Sequence, residues 1–340
     1  MKIALFNGPE DVIIKEKEIP EAEPGEIVIQ NKIALTCGTD VKTFFRGHPF
    51  WDPPAPFGHE SAGIVHEVGK GVDDFKVGDR VVAHNSAPCN ECYYCKQGQH
   101  SMCDDMTWNL GAFAEYQVIP ENIVGQNVFK IPDEMEFKEA ALTEPFACAV
   151  YGTAESNIQL GDLVVVNGVG PIGLMFVALA VNKGAHVIAT DLSEQRLQKA
   201  KKYGAAEFIN VGEVEDQVKA VRDLTPDNRG VDVAIEAVGM PEVWEKTIKM
   251  TRKGGIVNLF GGPKPGTSIT VDTKLLHYSQ LTLKGVFHTT PKYVERAFNL
   301  IKDGVIKAED FVEAEYSLDE IENAIRSHKK GEVIKNSIVF

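Results

Sequence analysis

Leu163-Val-Val-Val-Asn-Gly168-Val-Gly170-Pro171-Ile172-Gly173 is the stretch whose reading decides the fold. Its first half is a short apolar run of β-branched residues, the composition of a strand buried on both faces. Its second half is G-x-G-x-x-G, and the apolar residues that follow read as a helix over 172–183 ended by Gly184. The glycine motif alone is weak, but between a strand and a helix it describes a dinucleotide-binding turn. Gly168 permits the tight turn, Gly170 lets the backbone approach a pyrophosphate, and Gly173 lets the helix pack on the strand. The helix N-terminus, with Ile172 in its first turn, offers free N–H groups and a positive dipole end. Pro171 is tolerated there, because its missing N–H would have had no partner.

Working outward, Asp191 ends the next strand, at about the distance beyond the glycines where a dinucleotide site places its acid. A carboxylate there accepts the ribose hydroxyls of NAD and repels the 2′-phosphate of NADP. Arg196 could draw that phosphate, but it is read as lying against the adenine face, so NAD is favoured over NADP. Strands at 207–210, 231–235, 256–259 and 281–286 alternate with helices, the pattern of an α/β, doubly wound parallel sheet. The competing reading is a glycine turn in a non-binding α/β fold. It is disfavoured because strand, glycines, helix and acid stand in register.

The N-terminal part, up to position 150, has a different rhythm. Residues 3–6, 12–17, 26–35, 63–68 and 80–83 have strand composition, separated by Pro and Gly turns. They predict an all-β, partly barrel-like region. The tail carries helices at 292–302 and 318–329 and a closing strand at 337–340. A length of 340 residues fits about two domains. The composition, 44% hydrophobic and 25% charged, excludes intrinsic disorder. The net charge of −14 repels phosphate backbones, so no nucleic-acid partner is expected. No apolar run is long enough to span a bilayer and the N-terminus has no signal-peptide core, so no membrane partner and a cytoplasmic location are expected.

Four of the six cysteines, Cys89, Cys92, Cys95 and Cys103, follow C-x2-C-x2-C-x7-C. Four thiolates on one short loop fit a closed, tetrahedral structural zinc site, in a lobe over residues 86–106. A redox cluster or four unligated thiols are the alternatives. Cys37, His59 and Glu144, taken singly, each have an ordinary structural explanation, and the sequence alone does not bring them together.

Cys37-Gly-Thr-Asp, Gly58-His59-Glu60-x-x-Gly63, the four-cysteine lobe, Thr143-Glu144-Pro145 and the dinucleotide turn occur in that order. In this the chain resembles the zinc-dependent medium-chain alcohol dehydrogenases over essentially its whole length. It is most similar to the sorbitol (polyol) and threonine dehydrogenase branch, marked by Glu144-Pro145 where better-known alcohol dehydrogenases place a cysteine ligand. Gly285-Val286-Phe287 also resembles the polyol enzymes. The resemblance implies a Rossmann NAD-binding domain over 153–289 and a GroES-like catalytic domain over 1–152 and 290–340. It further implies two zinc ions per chain, a substrate cleft between the domains, and a homo-oligomer, dimer or tetramer, joined edge to edge through the nucleotide-binding sheets.

The same resemblance implies that Cys37, His59 and Glu144 approach a catalytic zinc, with Glu60 as an alternate or exchanging ligand. One thiolate, one imidazole and one carboxylate leave a fourth position for water or a substrate oxygen. The implied reaction is reversible oxidation of a secondary alcohol to its ketone, with hydride passing to NAD. Thr39 matches the hydroxyl residue that accepts the substrate proton. Lys42 stands where the family's relay places a histidine; it relays the proton or only holds the nicotinamide ribose. Leu259-Phe260 and Val286–His288 are expected to bracket the nicotinamide. His288 replaces an arginine often seen in polyol enzymes, and is read equally as facing a substrate hydroxyl or as a surface loop residue. Cys148 is assigned no chemistry, and His48 and Trp51 are candidates for the pocket wall. The rival readings are a zinc-free quinone or enoyl reductase, an epimerase that traps NAD, and a non-catalytic scaffold. The first lacks both zinc constellations, and the last would have lost Cys37, His59 or Gly170.

Overall fold

The computed structural model describes residues 1–47, 52–331 and 333–340. His48 and Trp51 lie outside the described residues. The chain divides into two compact units, Met1–Ala147 with Thr289–Phe340, and Cys148–His288. The sequence reading drew these joins at 152/153 and 289/290.

The Cys148–His288 unit is built on six parallel strands. Their order is Glu207–Asn210, His186–Asp191, Leu163–Asn167, Val231–Glu236, Thr251–Leu259, Thr282–Gly285. The chain enters at Leu163–Asn167, builds toward one edge, then crosses over and builds toward the other. The order therefore reverses between Leu163–Asn167 and Val231–Glu236, and the carboxyl ends of strands at such a switch point form a ligand crevice. Val164, Val165 and Val166 are fully buried, as a strand covered on both faces requires. The Pro171–Asn182 helix is buried from Gly173 to Ala180. The Glu194–Lys202 helix is capped by Ser193, whose side chain accepts the Arg196 N–H, and ends in Lys199, Lys201 and Lys202, which complement its dipole. The Thr251–Leu259 strand begins ahead of its predicted start at Ile256. Gly254 and Gly255 mask its opening, and its register with Val231–Glu236 shifts there.

In the other unit the largest sheet runs Val128–Lys130, Arg80–Ala83, Ser61–Val68, Ile27–Leu35, Lys335–Val339, Val312–Ser317, with Tyr116–Ile119 also paired to Ile27–Leu35. The C-terminal strand thus lies inside the sheet, beside a strand from near the start of the chain. Phe6, Phe44, Phe57 and Phe113 centre the core, with the Phe57 and Phe113 rings edge to face at 5.4 Å. The reading of the N-terminal part as strands and turns alone is corrected here. Helices occupy Gly38–Arg46, Glu121–Asn127 and Thr143–Glu155. The last is largely apolar on every side, so no amphipathic period betrays it. Among the described residues, no helix is long and apolar enough to cross a membrane.

Candidate active site

The geometry around Cys37 begins with a helix cap. Cys37 is the N-cap of Gly38–Arg46, with its Sγ 3.5 Å from the Thr39 nitrogen, and Asp40 Oδ2 accepts the Cys37 N–H at 2.8 Å. The other Asp40 oxygen lies 3.1 Å from His59 Nδ1. One buried carboxylate therefore orients both the cysteine backbone and the imidazole. His59 follows Gly58, which has φ +84°, and a Cβ there would sit 2.7 Å from the Phe113 ring. Ligand atoms of Cys37, His59 and Glu60 all lie within 4.8 Å of one another. Both Glu60 oxygens accept from Lys335 Nζ, at 2.8 and 2.6 Å, and Lys335 also donates to the Thr36 carbonyl at 2.9 Å. Glu60 is completely buried and Lys335 is 1% exposed. Burial works against the lysine's charge, but the Glu60 carboxylate prevails and raises its pKa.

Glu144 lies in the first turn of Thr143–Glu155, buried, and its Oε1 accepts from Asn85 Nδ2 at 3.0 Å. Burial pushes its carboxyl up to about 7. His59 opposes that rise, while Glu60 adds to it. Burial also disfavours a charged His59, yet Asp40 and Cys37 hold its pKa well above the ordinary value. The cluster thus gathers a thiol, an imidazole and buried carboxyls, with Lys335 engaged by Glu60. This donor set fits a divalent cation. Thr39 is half-buried and Lys42 exposed on the same short helix.

The four-cysteine lobe is equally specific. Its sulfurs lie within 4.8 Å of one another, with Cys89–Cys103 at 3.5 Å and Cys92–Cys103 at 3.9 Å, and none is in a disulfide. Zn–S bonds near ~2.3 Å place tetrahedral sulfurs about 3.8 Å apart, so the lobe fits that ion. Backbone N–H groups of Cys92 and Glu91 point at Cys89 Sγ, and that of Cys89 at Cys103 Sγ. Backbone N–H groups of Cys95 and Asp104 pull the Cys92 thiol down to about 6, while burial pushes Cys95 up to about 12.

In the other unit, Gly168 has φ +92° and Gly170 caps the Pro171–Asn182 helix. A Cβ on Gly173 would meet the Gly168 carbonyl oxygen at 1.9 Å, so the close approach admits only glycine. Asp191 Oδ2 accepts the Val169 N–H and Oδ1 the Ser193 N–H, both at 2.9 Å. The nearest atom to a Cβ built on Gly170 is Arg196 Nη1, at 3.8 Å, and Arg196 Nε is buried without a hydrogen-bond partner. The guanidinium therefore leans over the glycine turn. Ile172 is half-buried, and Leu259 and Val286 are each 8% exposed near the ends of their strands. His288 takes a left-handed φ of +62°, and its ring lies within 4.8 Å of Cys148 Sγ.

Residues 171–303 match the family of zinc-binding dehydrogenases, and residues 23–133 match the alcohol dehydrogenase GroES-like domain. The sorbitol dehydrogenase of Bacillus subtilis is 32% identical over 337 residues, covering 96% of this chain and 92% of that protein. The chain belongs to the zinc-dependent medium-chain alcohol dehydrogenases. The L-threonine 3-dehydrogenase of Pyrococcus furiosus is 35% identical, with 94% and 93% of the two chains covered. The solved 2R,3R-butanediol dehydrogenase of Bacillus subtilis superimposes with a TM-score of 0.89 at 29% identity, covering 100% of this chain and 99% of that one. As a medium-chain alcohol dehydrogenase, the chain is an oxidoreductase that uses zinc and a nicotinamide cofactor on a small-molecule alcohol.

Four residues around these sites escaped the sequence reading. Asp40 had a local signal, an acid shortly after a helix-capping Cys37. Asn85 and Lys335 had none, because their partners are 59 and 275 residues away. A fourth, Glu236, ends an apolar strand and accepts the N–H groups of Val238 (2.9 Å) and Gly239 (2.8 Å) on Oε1. Val238 in turn lies where a Cβ on Gly168 would fall, so Glu236 shapes the wall beside the dinucleotide turn. Burial pushes its carboxyl up to about 6. The native state then holds this proton more tightly than the unfolded chain does. The resulting stability is complete below pH 4.5 and is lost as pH rises through about 6. Relative to Glu236→Gln, the native chain should lose roughly 2 kcal/mol of unfolding free energy between about pH 4.5 and 7. Urea midpoints of both proteins across that range check the sign. Parallel profiles would contradict it.

Proposed function

We propose that this dehydrogenase oxidises the secondary hydroxyl of a polyol, a sugar derivative or a 3-hydroxy amino acid to the ketone, with NAD as acceptor. Cys37, His59 and Glu144 hold the catalytic zinc, and Cys89, Cys92, Cys95 and Cys103 hold a second, structural one. The observation that supports Glu144 over Glu60 as the resting ligand is the engagement of both Glu60 oxygens by Lys335, whereas Asn85 engages one Glu144 oxygen. A neutral set of one thiolate and one carboxylate keeps the ion a stronger Lewis acid than a set with Glu60 added. Glu60 therefore joins it transiently at most.

Bound there, zinc supplies the Lewis acid for the substrate hydroxyl, and the nicotinamide ring supplies the hydride acceptor. The chain's own residues do the rest. Asp40 fixes the orientation of His59, and Thr39 takes the substrate proton. Lys42, exposed on the same helix, passes that proton toward solvent. Gly168, Gly170 and Gly173 with the helix N-terminus cradle the pyrophosphate, and Arg196 leans over that turn. Asp191 holds the ribose and excludes a 2′-phosphate by charge. Leu259, Val286 and His288 line the nicotinamide end. The open edge strand Thr282–Gly285 is where two copies pair into the homo-oligomer.

The two relatives support the substrate class by their names, sorbitol dehydrogenase and L-threonine 3-dehydrogenase. The test is reduced-cofactor production across polyols, inositols, aldonates and threonine, with each cofactor. We expect turnover of at least one such secondary alcohol and a preference for NAD of tenfold or more, the factor set by about 1.4 kcal/mol of phosphate repulsion. Preference for NADP, or turnover of primary alcohols alone, overturns the assignment.

A further inference from the structure

Beneath the dinucleotide turn lies a closed network of buried polar side chains. Asn167 is 3% exposed, Gln217 8%, and Thr190 and Thr247 are completely buried. Gln217 Nε2 donates to Asn167 Oδ1 at 2.8 Å and to Thr190 Oγ1 at 3.1 Å. Thr190 Oγ1 donates to Asn167 Oδ1 at 2.8 Å. Asn167 Nδ2 donates to Thr247 Oγ1 at 2.8 Å, and Thr247 donates onward to the Val243 carbonyl at 2.7 Å. The last bond fixes the polarity of the whole chain. A carbonyl can only accept, so Thr247 spends its one proton there and must accept from Asn167. Asn167 then turns its Oδ1 to Thr190 and Gln217.

Hydrogen-bonded groups of this kind add little net stability over well-packed apolar residues of the same shape. What they add is geometry, and their positions in the chain show where it is applied. Asn167 immediately precedes Gly168, and Thr190 immediately precedes Asp191. Their main chains are joined to the cradle as well. The Gly168 N–H donates to the Thr190 carbonyl at 2.8 Å, and the Ala237 N–H donates to the Asn167 carbonyl at 2.9 Å. Gln217 and Thr247 anchor the network to the helices Gln217–Asp223 and Pro241–Met250.

We infer that Asn167, Thr190, Gln217 and Thr247 are positioning residues for the cofactor. They fix where the glycine turn and Asp191 leave their strands, and so set the affinity for a nicotinamide dinucleotide. The inference rests on the reading of this unit as the dinucleotide site.

NADH fluorescence titration, run beside urea unfolding, tests it. Thr190→Val keeps the shape and removes the hydroxyl, and it should weaken NADH several-fold. Thr190→Ser keeps the hydroxyl and should bind as the native chain does. Asn167→Leu removes the hub and should weaken NADH about tenfold. The fourfold variant Asn167→Leu/Thr190→Val/Gln217→Met/Thr247→Val strands no buried partner, and should unfold no more easily than the native chain while still binding NADH weakly. Valine and fourfold variants that bind NADH within twofold of the native chain, whatever their stability, overturn the inference. A native chain that binds neither NADH nor NADPH overturns the dinucleotide reading instead.

Discussion

A Lys335→Met substitution is expected to lower the unfolding free energy by about 3–5 kcal/mol, among the largest stability losses available to a single change here. The two charges are buried together, and each oxygen of Glu60 accepts from the same ammonium. Removing the lysine leaves a buried carboxylate without the ammonium that both its oxygens engage, and also leaves the Thr36 carbonyl without its donor. The cost is the stranded charge and not the worth of the pair. The double variant Lys335→Met/Glu60→Gln should therefore recover at least half of the loss. Urea unfolding of the wild type and the two variants decides it. A double variant no more stable than the single one would show that the loss came from strand packing.

Cys37→Ala is expected to lower kcat/KM by at least ~10³, with NADH affinity unchanged. A Lewis acid contributes several kcal/mol to stabilising the developing alkoxide charge, and each step of about 1.4 kcal/mol is tenfold in rate. Cys37 supplies the soft, anionic donor of the proposed set. Its loss weakens the metal and also removes the cap of Gly38–Arg46, so the fold is checked by circular dichroism in the same samples. Asp40→Asn should act more gently, about 10–100-fold, because it touches the site only through Cys37 and His59. A Cys37→Ala enzyme within tenfold of wild type would remove Cys37 from the reaction.

The legible parts of this molecule were local in sequence. The glycine turn, the acid at Asp191 and the four-cysteine lobe each fit within a few dozen residues, where spacing alone carries geometry. The parallel sheet followed from the alternation of apolar runs and helical segments. Thr143–Glu155 stayed hidden because an apolar helix has no polar face to set a period. Lys335 lies ahead of the strand expected at 337–340 and stayed hidden because a lone lysine looks like a solvated charge until Lys335–Val339 inserts beside Ile27–Leu35. Asn167 drew no reading of its own beside the glycine motif. Its network became visible only when two strands and two helices placed four polar side chains together. What the sequence lacked was distance between residues far apart in the chain, and the active-site cluster consists mostly of such distances.

The most direct test is to withdraw metal stepwise with a chelator. Zinc content, circular dichroism, NADH binding and alcohol oxidation are followed together. Two zinc ions per chain are expected, and oxidation should vanish as the one held by Cys37 and His59 leaves. Fold and NADH binding should persist at that stage, and activity should return with added Zn²⁺. A folded, metal-free chain that oxidises its alcohol at the native rate would contradict the account.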